Sequence, residues 1–285
     1  MILKLRSSDR GGERPGDLAV QSGLHSIALP AKQGSEPENM TIRLADCDGQ
    51  RSRANMLLSR MYEWRGYGTD HELPTQPDCI VFTASNGEDT IGTLTLTVDT
   101  PAGLAVEKTF SEEVARFRAA PGARLCELTK FAFDTSSPAR PRLAALFHII
   151  FIYGSMHYDC TDLLIEVNPR HRRFYEAMLG FHAVGAPRTN DAVAAPSQLM
   201  WLNVGAIRGN IDRHRGQPDN GRSLYPHFFS AKEEQGIYGR LSRMTAPAAS
   251  AQPSGLRSLR LEMSRSVARF LELVRPMQPR RIAPS

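Results

Sequence analysis

The chain has 285 residues, of which 41% are hydrophobic and 23% are charged, and its formal net charge is +5. This length suits one sizeable domain with appendages, and no uninterrupted apolar segment approaches the ~20 residues that span a bilayer. Because the N-terminal residues lack the apolar core of a secretion signal, we expect a cytoplasmic protein.

The positive charge is concentrated in one part of the chain. Residues 1–205 contain 21 Lys and Arg against 24 Asp and Glu, whereas residues 206–285 contain 14 against 6. The two net charges are therefore −3 and +8. This asymmetry predicts an acidic partner or an anionic surface for the C-terminal part. Nucleic acid is not expected, because the basic part has few aromatic residues and no known motif.

The cysteines and histidines argue against several kinds of site. The four cysteines include no close pair, so we expect neither a zinc site, a redox dithiol nor a disulfide framework. The eight histidines show no metal-ligand spacing. Cys126 lies beside Glu127 and could be a nucleophile, but a small buried hydrophobic residue is the preferred interpretation.

The chain begins with a segment rich in Gly, Ser, Pro and charge, residues 1–38, which we expect to be a flexible arm. Residues 41–45 alternate as a first strand, and Asp46 or Asp48 can cap a helix over residues 51–64. The apolar positions predicted to form the buried side of this helix are Met56, Leu57, Met61 and Trp64.

A hairpin follows the first helix. Residues 79–85 and 90–100 are predicted to be its strands, with the turn sequence Asn-Gly-Glu-Asp between them. One face of the second strand is expected to be polar because of the alternating Thr93, Thr95 and Thr97.

The central stretch predicts strand–helix–strand–helix–strand. Residues 124–134 suit a strand, residues 140–157 a buried helix, and residues 163–167 a short apolar strand. Pro169 suits the first turn of the next helix, and Gly180 its end. The first two strands should therefore be parallel and joined by a right-handed crossover.

The C-terminal part reads as an extension of the domain. Residues 197–204 predict a last strand that completes the sheet and residues 206–215 a helix, while residues 246–255 are a linker. A basic amphipathic helix follows from residue 256. The alternative roles for this helix are folding onto the domain, dimerising, docking a carrier protein or making peripheral contact with an anionic membrane.

Several of these segments, in this order, carry a family resemblance. NPRHRRFYEAMLGFHAVG and CELTKFAFD are similar to the core of the GNAT acyltransferase superfamily. Together with ANMLLSRMYEWRGY and IGTLTLTVD they resemble the long-chain N-acyl amino acid synthases (FeeM-like proteins), relatives of the acyl-homoserine-lactone synthases. The resemblance implies an α/β, GNAT-like mixed sheet of six or seven strands flanked by helices. The acyltransferase domain would span residues 39–205, with residues 206–285 as a basic helical extension.

The resemblance implies two catalytic side chains. Glu127 on the central strand would take the proton of the acceptor amine, and burial would raise its pKa; the alternative is a structural carboxylate paired to Lys130 or an arginine. Tyr175 would protonate the departing thiolate, and core packing is its alternative. Asn168 would contact the pantetheine arm, and turn formation before Pro169 is the alternative.

The resemblance also implies residues that bind the two substrates. The backbone from Thr129 to Ala132, including Phe131, would face the thioester carbonyl in a gap beside the central strand. An acyl channel would be lined by Phe131, Phe133, Leu146 and Ile150, which could equally be plain core.

Arg60 and Trp64, with Arg65 and Asp70, would form the wall of the acceptor pocket, since an arginine suits an amino-acid carboxylate. The alternative is that the arginines are solvated charges and Trp64 is core. Threonine at position 95, where lactone synthases commonly have arginine, argues against a homoserine-lactone product.

The loop after the central strand bears on the identity of the donor. Coenzyme-A-dependent GNAT enzymes usually have a glycine-rich loop here, but DTSSPARPRLAALF contains no glycine. An acyl carrier protein, with one phosphate and an acidic surface, is therefore the favoured partner and donor, and acyl-coenzyme A the alternative. The arginines suited to it, unless they are ordinary surface charges, are Arg140, Arg142, Arg170, Arg172 and Arg173.

We therefore expect an N-acyltransferase that moves a long-chain acyl group from a carrier-protein thioester to the α-amine of an amino acid. No permanently bound cofactor and no metal are expected. The alternatives are an acetyl-coenzyme-A-dependent N-acetyltransferase and a non-catalytic, GNAT-like module that binds a carrier or another partner.

Overall fold

A computed structural model of the chain describes residues 25–28, 39–64, 66, 71–134, 140–215 and 221–244. The strands are β1 (His25–Ala28), β2 (Asn39–Leu44), β3 (Cys79–Asn86), β4 (Asp89–Val98), β5 (Leu125–Phe133), β6 (Asp162–Val167), β7 (His182–Asn190) and β8 (Ala195–Asn203). The helices are α1 (Asp48–Glu63), α2 (Glu107–Arg118), α3 (Arg140–Met156), α4 (Arg172–Leu179), α5 (Val204–His214) and α6 (Ala231–Met244).

The strands form one mixed sheet in the order β1-β2-β3-β4-β5-β6-β8-β7. Neighbouring strands are antiparallel except β5 and β6, which are parallel and joined through α3, as the sequence predicted. The sheet has eight strands among the described residues, not the six or seven expected. The additional strand is β1, which pairs with β2 from within the segment expected to be an arm.

Helix α3 covers one face of the sheet and is buried on nearly all sides. Pro141 occupies its first turn, where the missing N–H leaves no hydrogen bond unmade. Most of its following residues are buried, because the sheet lies on one side and α6 packs on another. This layer forms the largest hydrophobic core, which packs against one face of the central parallel strands.

Helices α1 and α2 cover the opposite face and form two separate apolar clusters. The α1 cluster contains Ala54, Leu57, Leu58, Val81 and Ala132 among others. The α2 cluster includes Val106, Phe110, Val114, Leu125 and Leu164. Two residues expected on the buried side of α1 are instead exposed: Met56 by 71% and Trp64 by 79%. The buried stripe of α1 is rotated toward Ala54 and Leu58, so the sequence prediction was wrong at these positions.

The chain after β8 packs onto the same core as far as α6. Asn203 caps α5 by accepting a hydrogen bond from the backbone N–H of Ala206 at 3.0 Å. Ile237 and Leu241 of α6 are fully buried in the α3 layer. Residues 206–215 and 221–244 therefore share the hydrophobic core that lies under the sheet. The predicted linker and basic amphipathic helix lie outside the described residues, and the predicted domain boundaries remain predictions.

Candidate active site

The two parallel strands separate in the middle of the sheet. Their pairing runs from Leu125 opposite Asp162 to Leu128 opposite Ile165. Beyond that point β5 continues to Phe133 and β6 to Val167 without pairing to each other. A gap therefore opens between the two strands at their carboxyl ends. This position is where parallel sheets commonly place ligands.

A β-bulge lies on β5 at the start of this gap. Thr95 pairs with Thr129 and Thr93 with Ala132, so two residues of β5, Lys130 and Phe131, oppose a single residue of β4. Lys130 has a φ of 53°, a left-handed conformation that is uncommon for a residue with a side chain. The bulge therefore lies where β5 stops pairing with β6. It changes the direction of the β5 backbone N–H and C=O groups beside the gap.

Glu127 lies four residues before Phe131 and is 1% exposed. Its Oε2 atom accepts a hydrogen bond from the backbone N–H of Val106 at 3.3 Å, at the start of α2. Burial is the main cause that raises the pKa of Glu127, and the charge of Glu166 raises it further. Two backbone hydrogen bonds, from Val106 and Ala105, lower it. The resulting pKa is about 8. Its hydrogen-bond partners are thus backbone amides rather than the lysine or arginine of the alternative interpretation. A carboxyl group with this pKa changes its protonation near neutral pH.

A stripe of threonines continues from Glu127 across the sheet. Thr97 is opposite Glu127, and Thr95 is opposite Thr129, so these side chains share one face. The hydroxyls of Thr93 and Thr95 are fully buried and lack a hydrogen-bond partner among the described residues. The stripe runs between the α1 and α2 clusters and is suited to bind polar groups of a ligand.

Glu166 on β6 was not predicted as a site residue. Its Oε1 atom accepts hydrogen bonds from Thr109 Oγ1 at 3.1 Å, Asn190 Nδ2 at 2.7 Å and Ser197 Oγ at 2.5 Å. It lies on the same face as Glu127, since the residue two before it is paired with Glu127. An acid inside the apolar sequence DLLIEV was the signal that could have revealed it. Three donors hold its carboxylate in place beside the gap.

Asn168 and Tyr175 lie beyond the end of β6. The Oδ1 atom of Asn168 accepts a hydrogen bond from the backbone N–H of Arg170 at 3.1 Å, which caps the short 3₁₀ turn over Pro169–His171. This geometry matches the turn-forming alternative for Asn168. Tyr175 is half-buried, and its ring centroid is 5.1 Å from that of Phe174 and 5.9 Å from that of Phe181. Its ring is thus part of the packing against the core, as its alternative interpretation stated.

The predicted acceptor residues lie at the end of α1. Arg60 Nη2 is 3.4 Å from Oδ2 of Asp134, the residue that follows β5. This contact brings the end of α1 to the end of the central strand. Trp64 is exposed and therefore not core, which excludes one of its two interpretations. Arg65 and Asp70 lie outside the described residues.

The arginines expected to meet the donor are not equivalent. Arg142 is 5% exposed and therefore not a surface residue, whereas Arg170 and Arg173 are exposed. Arg172 Nε donates to Glu176 at 2.6 Å along α4. Arg140 donates to the carbonyl oxygen of Gly221. The exposed arginines are thus grouped after β6, beside the carboxyl end of the gap.

The residues proposed for an acyl channel lie on the α3 side of the sheet. Phe131 is half-buried, with its ring centroid 5.4 Å from that of Phe147. Phe133, Leu146 and Ile150 are buried in the main core. A small cavity with a mainly apolar lining that includes Ile150 lies between α3 and strands β4 to β6. The α3 face is therefore the apolar side of the gap and the threonine face the polar side.

A mixed sheet that separates between its two parallel central strands is the GNAT-like fold that the sequence predicted. The model of the N-acyl amino acid synthase FeeM family matches residues 53–203, more than half of the chain. The chain belongs to this family, which confirms the resemblance predicted from the sequence.

The chain is also similar to several solved structures. FeeM, an N-acyl amino acid synthase from uncultured soil microbes, is 28% identical over 58% of this chain and 92% of its own, with a TM-score of 0.54. The AHL synthase LasI is 14% identical over 59% and 91% of the two chains, with a TM-score of 0.44. An N-acetyltransferase from Staphylococcus aureus Mu50 is 13% identical over 58% and 97%, with a TM-score of 0.40. A search of curated protein sequences found no match. None of the helices in the described part of the chain is long and apolar enough to cross a membrane.

Proposed function

We propose that this enzyme transfers a long-chain acyl group from an acyl-carrier-protein thioester to the α-amine of an amino acid. The amine nitrogen attacks the thioester carbonyl carbon, a C–N bond forms, and the C–S bond breaks. One amine proton passes to Glu127, and the departing thiolate takes a proton from Tyr175. The observation that carries the proposal is the buried Glu127, whose pKa of about 8 suits a base at neutral pH.

Glu127 is suited to receive a proton because no cation neutralises it among its hydrogen-bond partners. Its partners at Val106 and Ala105 are backbone amides, which orient the carboxyl group and leave its pKa high. Because Glu127 is almost fully buried, proton transfer proceeds through a water that links it to the amine.

The bulge on β5 supports a role in stabilising the oxyanion. Backbone amides between Thr129 and Ala132 lie where β5 is bonded to β4 irregularly and is not bonded to β6. Donors held by a bulge keep their orientation during the reaction, so they need no reorganisation when the oxyanion forms. In this proposal Phe131 begins the acyl channel and Asn168 borders the pantetheine arm at the end of β6.

The donor is proposed to approach from the carboxyl end of the gap. Arg170 and Arg173 are exposed there and offer positive charge to an acidic carrier surface. The loop between β5 and α3 has no glycine, which disfavours a close cradle for the pyrophosphate of coenzyme A. Arg142 is buried and therefore takes no part in the docking surface.

The acceptor is proposed to enter on the polar face, past the end of α1. Arg60 and Trp64 form the outer wall of this entrance, with Arg60 held near the central strand by Asp134. The threonine stripe then leads inward to Glu127. An amino acid that follows this path presents its amine to Glu127 from the side opposite the acyl chain.

Mass spectrometry of lipid extracts from cells that overproduce the protein tests the proposal. We expect new N-acyl amino acids with the wild type and none with Glu127→Gln at equal abundance. Purified enzyme is then given the same acyl chain on carrier protein or on coenzyme A. Faster amide formation from the carrier protein is expected. No amide from either donor, with folded protein, would overturn the proposed function.

The proposed acyl channel has its own test. Phe131→Ala and Ile150→Ala remove bulk from the apolar side of the gap and should shift the preferred acyl length upward. Product profiles from mixed-length acyl carrier proteins measure this shift. Unchanged profiles in folded variants would remove these two residues from the channel.

A further inference from the structure

Lys130 is the extra residue of the β5 bulge, next to Thr129 and three residues after Glu127. It is half-buried and has a left-handed backbone conformation, with a φ of 53°. Within the described part of the chain, its ammonium group has no salt bridge and no hydrogen bond. Burial lowers its pKa, with no acidic neighbour to raise it again. An ammonium group held partly out of water without a counter-charge is costly, so its retention needs a reason.

The acidic residues on and beside the central strand have other partners. Glu127 accepts hydrogen bonds from backbone amides at the start of α2, and Glu166 from Thr109, Asn190 and Ser197. Asp134 is in contact with Arg60. The lysine and Glu127 are close in sequence, yet no ion pair joins them. Among the described residues Lys130 therefore has no anionic partner, and a negatively charged group of a ligand would supply one.

We propose that Lys130 binds the α-carboxylate of the acceptor, which makes it a residue that selects amino acids over simple amines. This inference rests on the proposed function. An α-amino acid carries its carboxylate one carbon away from its amine, so an amine beside Glu127 has its carboxylate within a few ångströms. The Cα atoms of Glu127 and Lys130 are at most ~10 Å apart along one strand, a distance that a lysine side chain and a bound amino acid can bridge together.

The location also favours the acceptor over the phosphate of the donor arm. Lys130 lies on the central strand at the start of the gap, close to the proposed base and the proposed oxyanion donors. A pantetheine phosphate is separated from the thioester by the whole length of the arm. The exposed arginines after β6 suit that phosphate better. Arg60, by contrast, is largely exposed and already contacts Asp134, which leaves the inner contact to Lys130.

A competition experiment tests the inference. Purified wild type, Lys130→Met and Lys130→Arg are each given dodecanoyl carrier protein and an equimolar mixture of the twenty proteinogenic amino acids and their decarboxylated amines. Mass spectrometry measures the ratio of N-acyl amino acids to N-acyl amines. Methionine keeps the length and the same backbone requirement but removes the charge, so we expect its ratio to fall about 10- to 100-fold. Arginine should restore much of the ratio.

The outcomes separate this inference from the proposed function. A wild type that forms no N-acyl amino acid overturns the proposed function and with it this inference. A wild type that forms them, with an unchanged ratio in Lys130→Met, overturns the inference alone. A variant that raises the KM for the donor and leaves the ratio unchanged assigns Lys130 to the phosphate and also overturns it. Thermal unfolding of each variant identifies a loss that is caused by misfolding.

Discussion

Glu127 and Glu234 are two buried glutamates of one domain, and their surroundings differ. Glu127 is 1% exposed and Glu234 is 2% exposed. Glu127 on the central strand accepts hydrogen bonds from backbone amides alone, and its pKa rises to about 8. Burial also acts to raise the pKa of Glu234, but hydrogen bonds from His148 and Arg208 outweigh it and lower the pKa.

The contacts of Glu234 tie α6 and α5 to α3. His148 Nε2 is 3.0 Å from Oε1 of Glu234, and Arg208 Nη1 donates to the same oxygen at 2.8 Å. The other ring nitrogen of His148 accepts a hydrogen bond from the backbone N–H of Phe229 at 2.8 Å. Both carboxylate oxygens of Glu234 and both ring nitrogens of His148 have partners, whereas two threonine hydroxyls on the face of Glu127 have none among the described residues. The difference indicates that Glu234 stabilises the fold and that Glu127 is available for chemistry.

The largest expected effect is on catalysis, in Glu127→Gln. Gln keeps an oxygen for the Val106 amide but cannot take the amine proton, so kcat should fall about 100-fold or more. The melting temperature should stay the same or rise, because a poorly solvated carboxyl group is removed. Steady-state kinetics and thermal unfolding measure the two effects. An active Glu127→Gln enzyme would assign Glu127 to structure and erase its contrast with Glu234.

Glu234→Gln is the matched variant and should show the reverse. It leaves Arg208 and His148 without their anion, at a cost of about 2 to 3 kcal/mol of unfolding free energy, since Arg208 is half-exposed and partly solvated. Activity per folded molecule should remain near that of the wild type. Urea unfolding at neutral pH measures the loss. Equal stability of the two proteins would show that the cluster contributes little to the attachment of α6.

How much of this contrast the sequence could predict differs between the two regions. Clear local patterns placed Glu127 on the central strand, because such patterns specify buried central elements, and the family resemblance implied its role. Glu234 was not, because its role depends on α6 packing against a helix more than 80 residues earlier in the chain. The pairing of β1 and the placement of β8 between β6 and β7 are likewise long-range.

In the candidate site, too, the sequence predicted local features but not contacts between distant parts of the chain. The family resemblance predicted Arg60 and Trp64 as acceptor residues, but their exposure and the contact with Asp134 depend on tertiary packing. Glu166 was missed, since its three donors come from three other elements. The left-handed conformation of Lys130 has no signal in the sequence, because a bulge position is defined by the strand beside it.

The two glutamates should also respond to pH in opposite directions. The pKa of Glu127 is raised above 4.5, so its stabilising contribution is complete below pH 4.5 and is lost as the pH rises through about 8. The pKa of Glu234 is lowered, so its contribution is present above 4.5 and is lost at acidic pH. Unfolding free energies from pH 3 to 9 should therefore show that the stability of Glu127→Gln relative to the wild type increases with rising pH.

The same titrations should show the deficit of Glu234→Gln shrinking as the pH falls below 4.5. Wild-type activity should rise about tenfold per pH unit up to an apparent pKa near 8, where Glu127 loses its proton. A flat stability difference between Glu127→Gln and the wild type across this range would mean that the pKa of Glu127 is not raised.

The smallest expected effect concerns the threonine stripe beside Glu127. Thr95→Val replaces a fully buried hydroxyl that has no described partner with a methyl group of similar size, so stability should be unchanged or rise by about 1 kcal/mol. The KM for the amino acid should rise severalfold, because a polar contact of the acceptor pocket is lost. Thr97→Val is the comparison, since the Thr97 hydroxyl is 3.4 Å from the sulfur of Cys79 and its loss should reduce stability. A Thr95→Val enzyme that is destabilised, with unchanged KM, would show that the hydroxyl serves the fold. The polar environment that distinguishes Glu127 from Glu234 would then not include Thr95.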